Sequence, residues 1–108
     1  MAIEVAKVRV ELVKDSSIYS NIKELSSPEL AAEFARSLYY EKNEEELRCP
    51  AKEIIIVCSV DAQNKPLSID YASVGTSDSA LAEPKEIFTS AILCNADAIF
   101  VFHNHPSG

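Results

Sequence analysis

The sequence predicts an α/β fold, a mixed β-sheet flanked by helices, and three observations carry that expectation. Short apolar runs rich in β-branched residues recur along the chain, "EIIIVCSVD" from Glu53 being the clearest. Two other stretches open on a proline and repeat apolar residues at helical spacing, "SSPELAAEFARSL" from Ser26 and "EPKEIFTSAILCN" from Glu83. Strand and helix signals also interleave rather than segregate, which is the order that lays helices on the faces of a sheet.

Residues 3 to 13 read as a first strand, with Val8, Val10 and Leu12 on one face and Lys7, Arg9 and Glu11 on the other. "KDSSIYSN" breaks that pattern. Ser26-Ser27-Pro28-Glu29 then starts a helix: a serine cap, a proline where its missing N–H costs nothing, and a carboxylate near the positive end of the helix dipole. Leu30, Phe34 and Leu38, with Ala31 and Ala35 beside them, form its buried face up to about Tyr40. "EKNEEELRCP" reads as a solvated loop or frayed helix end. The run from Glu53 suits a strand covered on both faces. "AQNKP" turns the chain, and "LSIDYASVGT", with Leu67, Ile69 and Tyr71 alternating, supplies the other arm of a hairpin. Pro84 opens the second helix, striped by Ile87, Phe88, Ala91 and Ile92 and ending sharply at Asn95. "ADAIFVFH" is a final buried strand, reached through that helix in the order of a βαβ crossover.

The 108 residues suit a single domain, residues 1–108, in which an N-terminal strand and helix (about 1–45) lead into a core (about 50–108). A net charge of -7 with no basic stripe speaks against direct nucleic-acid binding. "MAIEVAKVRVELV" lacks the features of a signal peptide, and no apolar run is long enough to span a membrane. Cys49, Cys58 and Cys94 match neither a metal-binding pair nor a disulfide framework, so reduced thiols in a cytoplasmic protein are expected, Cys58 and Cys94 serving as buried small hydrophobes.

The stretch "FVFHNHPSG", residues 100–108, carries the only two histidines of the chain. In an extended strand His103 and His105 project to one side and Asn104 to the other. Imidazole is a favoured zinc ligand, and two of them with a carboxylate and an open position make a hydrolytic site. Pro106 and Gly108 would then leave the rings at a rim open to a substrate. The pair also suits two polar residues where a strand meets solvent. His103-Asn104-His105 is no nuclease motif of that spelling, which distributes its residues over a hairpin and a helix.

From "EIIIVCSVDAQNKPLSI" through "ASVGT" to "EPKEIFTSAILCNADAIFVFHNHPSG", the chain resembles the RadC-like branch of the JAMM/MPN metalloprotease superfamily, and "VRVELVKDSSIYSNIKELSSPELAAEF" resembles the segment that precedes the catalytic region there. The resemblance implies a cytidine-deaminase-like sandwich, incomplete at its C-terminus. It implies that His103 and His105 bind zinc and that Glu53 acts as general acid and base on the metal's water. By its residues alone, Glu53 is equally an exposed residue closing the acidic loop.

The chain departs from the family pattern at Glu83 and Lys85, where histidine and arginine are usual around the helix-opening proline. In the family, HNHPSG continues to a serine and, three residues later, an aspartate that is the third metal ligand; Ser107 sits too close to His105 to be that serine. The expectation is therefore a chain stopping within an active site, as a fragment or a truncated product, inactive by itself and holding zinc weakly. The implied function is a zinc-dependent peptidase or isopeptidase domain of a DNA repair-associated protein, with a peptide or protein substrate and pairing with a second copy as one way to cover apolar surface. A catalytically silent scaffold that binds another protein through the sheet edge is the alternative.

Overall fold

The apolar run after Glu53 is the middle strand of the molecule. In the computed structural model, which describes residues 1–40, 53–74 and 83–104, β1 (Ile54–Val60) lies between β2 (Pro66–Val74) and β3 (Ala98–His103). Both ladders are antiparallel, so β2 and β3 run the same way on either side of β1. The chain passes between them through α2 (Pro84–Leu93), in the expected crossover order. The remaining helix, α1 (Pro28–Tyr40), precedes the sheet in sequence.

Sealing of β1 on both faces follows from its composition. Ile54, Ile56, Cys58 and Val60 share one face and join Leu25, Ala31, Phe34, Leu38 and Tyr39 in a single core. Ile69, Tyr71, Phe100 and Phe102 flank that core from the neighbouring strands. On the other face Val57 and Ser59 are fully buried, and α2, which contacts the sheet there, turns Ser90 and Ala91 inward. Each large apolar side chain taken out of water contributes about 1.5–3 kcal/mol, so the α1 face carries most of the hydrophobic stabilisation.

Local chemistry sets the element ends. The Leu30 N–H donates to the Ser27 hydroxyl (3.1 Å), and Pro28 occupies the first helical position, as the serine-proline start predicts. After α2, Asn95 adopts a left-handed φ of 56°, with Ala96 N–H bonded to Ala91 O (3.0 Å) and Asn95 N–H to Ile92 O (3.2 Å). That pair of bonds is a Schellman closure and explains the sharp end. In the β1–β2 turn Asn64 is likewise left-handed (φ 61°), and the Asp61 carboxylate accepts from the N–H groups of Gln63 (2.8 Å) and Lys65 (3.0 Å). Ile55 faces Ser73 while Ile56 faces Tyr71, which leaves Ala72 as an extra residue in a bulge of β2.

Several expectations need correction. Residues 3–13 form no strand, and Val8 and Val10 are 78% and 66% exposed. Alternation makes a strand only where a neighbour offers backbone partners, and none of the described strands pairs with this segment. β3 is half exposed rather than buried, because it is an edge strand of the described sheet and Val101 faces outward. Within the α2 stripe, Ala91 is buried but Phe88 and Ile92 are exposed. Cys58 is buried and Cys94 only partly so. The acidic stretch 41–50 and Cys49 lie outside the described residues. Among the described residues no helix is long and apolar enough to cross a membrane.

Candidate active site

The β1–β3 register decides which polar residues meet. Ile55 stands opposite His103, Ile56 opposite Phe102 and Val57 opposite Val101, with no slip along the ladder. Residues opposite one another share a face, and so do residues two apart. By that alternation Glu53 and His103 belong to one face at one end of the sheet, in a diagonal relation of about 7–8 Å between backbones. Glu53 is half-buried, whereas His103 is exposed. An exposed imidazole on the same face as a half-buried glutamate, on an edge strand of the described sheet, is accessible to a molecule arriving from solvent.

Beneath this pair the backbone is fixed by side chains. The Ile54 N–H donates to Asn104 Oδ1 (2.7 Å), and the Ile54 carbonyl accepts from the Tyr39 hydroxyl (2.6 Å). The same end is braced by aromatic contacts: the Phe34 ring of α1 lies 6.5 Å from Phe102 at 56°, and Phe102 lies 6.2 Å from Phe100 at 27°. Asn104 and Tyr39 were invisible as site residues in the sequence. Asn104 reads only as the residue between two histidines, and Tyr39 as the tail of a helix. The one available signal is that a residue turned away from both imidazoles must face the core side, where β1 begins.

Of the three residues expected to carry chemistry, Glu53 and His103 are brought to the same end of the sheet, and His105 lies outside the described residues. Among the described residues no group of three or more His, Cys, Asp and Glu side chains is placed to hold a metal ion. The described donors, one imidazole nitrogen and one carboxylate, are nevertheless of the kinds zinc takes. Cys58 offers no thiolate, because burial pushes its pKa from 9.0 to about 12. At the start of α2, Glu83 makes no capping bond but pairs with Lys85 (3.4 Å), both side chains well exposed. These two departures from the usual histidine and arginine are thus accommodated as a surface ion pair of little energetic weight.

Taken together, an apolar central strand headed by glutamate, a crossover helix and a third strand ending in histidine define a JAB-type domain. A family model described as RadC-like JAB domain matches residues 25–108, and the chain belongs to that family. The UPF0758 protein of Haemophilus ducreyi is 41% identical over 63 residues, covering 58% of this chain and 28% of that protein. The UPF0758 proteins of Desulfitobacterium hafniense and Moorella thermoacetica are 44% and 42% identical over 64 residues, each covering 59% of this chain and 28% of the relative. The chain therefore spans about 28% of the length of the curated relatives it matches.

Proposed function

We propose that this JAB-type domain is the zinc-dependent hydrolytic centre of a peptidase or isopeptidase. His103 and His105 hold the ion, with a third ligand that the JAMM pattern takes from an aspartate downstream of HNHPSG, and Glu53 is the general acid and base. The observation that carries this reading is the ladder register, in which Ile55 faces His103 and so sets Glu53 beside the imidazole end of β3. When bound, the ion would polarise a water and the scissile carbonyl. With the ion bound, Glu53 would take a proton from the attacking water and deliver it to the leaving amine. In the described sheet β3 is an edge strand, which offers backbone partners to an extended peptide. The RadC-like resemblance also carries an association with DNA repair. A net charge of -7 lends no support to direct contact with nucleic acid, and a peptide or protein is the substrate class this reading takes.

The test compares the full-length protein with its Glu53→Gln and His103→Ala variants, measuring cleavage of a peptide and isopeptide library and zinc content by elemental analysis. Glu53→Gln keeps its zinc and loses at least about 100-fold in turnover. His103→Ala loses both zinc and turnover. Equal turnover by wild type and Glu53→Gln removes the acid-base role. A second reading, a silent scaffold that binds another protein, is favoured by the exposed Phe88, Ile92 and Val101 on α2 and β3, and it predicts zinc-independent function in both variants.

A further inference from the structure

We propose that Asn104 and Tyr39 are positioning residues for Glu53: together they hold both backbone polar groups of Ile54 and thereby fix the point at the head of β1 from which the glutamate springs. This inference rests on the acid-base role given to Glu53 above, although the device itself is structural.

Among the described residues the ladder between β1 and β3 ends at the rung of Ile55 with His103, and Glu53 lies just past that rung. The peptide joining Glu53 to Ile54 is held through its N–H by Asn104 Oδ1 at 2.7 Å, and the next peptide is held through the Ile54 carbonyl by the Tyr39 hydroxyl at 2.6 Å. Fixing the planes of two successive peptides leaves little freedom in the Ile54 torsions between them, and it fixes the position of Glu53 Cα, which lies in the first plane. Asn104 adjoins His103 in the chain. One side chain therefore ties the strand that carries the acid to the strand that carries the imidazole. Tyr39 provides a rigid footing because it is only 6% exposed and belongs to the core beneath the sheet. An aliphatic residue at position 104 would leave the Ile54 N–H without this acceptor and loosen the tie between the head of β1 and the end of β3.

This role differs from that of a residue that merely stabilises the fold, and amide hydrogen exchange distinguishes the two. In the full-length protein, Asn104→Ala is expected to speed exchange at the Ile54 N–H by about tenfold, the worth of one hydrogen bond, while Val57 in mid-strand is unchanged. Zinc affinity, read by competition with a chromophoric chelator, falls far less than in His103→Ala, since no ligand has been removed. Asn104→Asp, which keeps an acceptor oxygen, restores the protection at Ile54. Tyr39→Phe, which deletes one hydroxyl and preserves the packed ring, loosens the same region and serves if Asn104→Ala does not fold. Turnover falls through kcat rather than KM in both Asn104→Ala and Tyr39→Phe. Unchanged exchange at Ile54 in Asn104→Ala overturns the proposal, as does acceleration at Val57 in step with Ile54. A Glu53→Gln enzyme that turns over like wild type defeats the acid-base reading, whereas an intact Ile54 amide in Asn104→Ala beside an inactive Glu53→Gln defeats the clamp alone.

Discussion

The two faces of β1 are built to different standards. On the α1 side, Ile54, Ile56, Cys58 and Val60 meet Phe34, Leu25, Leu38 and Tyr39 in a closed core of large side chains. On the α2 side the cover is thin: small inward residues, Ser90 and Ala91, lie over Val57 and Ser59, while Phe88, Ile92 and Val101 remain exposed. The two faces divide the labour. A dry, tightly packed face fixes the strand register, and the less covered face can then tolerate a glutamate and an imidazole near its rim. Chemistry placed on the first face would require burying charge, at a cost of several kcal/mol per ion.

The largest effect is expected in the core. Phe34→Ala removes a ring that packs against Phe102 and is expected to cost about 3–5 kcal/mol in denaturant unfolding. A loss of under about 1 kcal/mol would mean that the α1 face is not the dominant core. The α2 face should respond in the opposite direction. Ser59 Oγ and Ser90 Oγ are buried without a hydrogen-bond partner among the described residues, so Ser59→Ala is expected to raise stability by about 1 kcal/mol. A fall of that size would show that the hydroxyl has a partner, such as an ordered water. The smallest effect belongs to the segment ahead of α1: Val10→Ser changes an exposed residue and should shift stability by less than about 0.5 kcal/mol. A larger shift would show that residues 3–13 are covered in solution.

Legibility in the sequence followed the reach of the forces involved. Both helices and the hairpin were readable because their causes are local: Ser27 and Pro28 at one helix start, Asn95 at the other helix end, Asp61 and Asn64 in the turn. The strand expected at residues 3–13 failed because a period of two records which faces differ, without recording whether a neighbour exists. Exposure of β3 was missed for a related reason, since "AIFVFH" reads as buried unless its place at the edge of the described sheet is known. At the site, residue types announced Glu53 and His103. Asn104 and Tyr39 could not be found that way, because their partner is the backbone of Ile54, which every sequence possesses.

The bond from Leu25 N–H to Asn64 O (2.8 Å) has a practical corollary for anyone attaching material upstream of α1. It staples the chain to the hairpin tip, and the seven residues of β1 separate that tip from Glu53 by about 23 Å. A fluorophore or additional domain inserted next to Leu25 departs from the pole of the sheet remote from His103. Such fusions should leave the imidazole end accessible to whatever docks there.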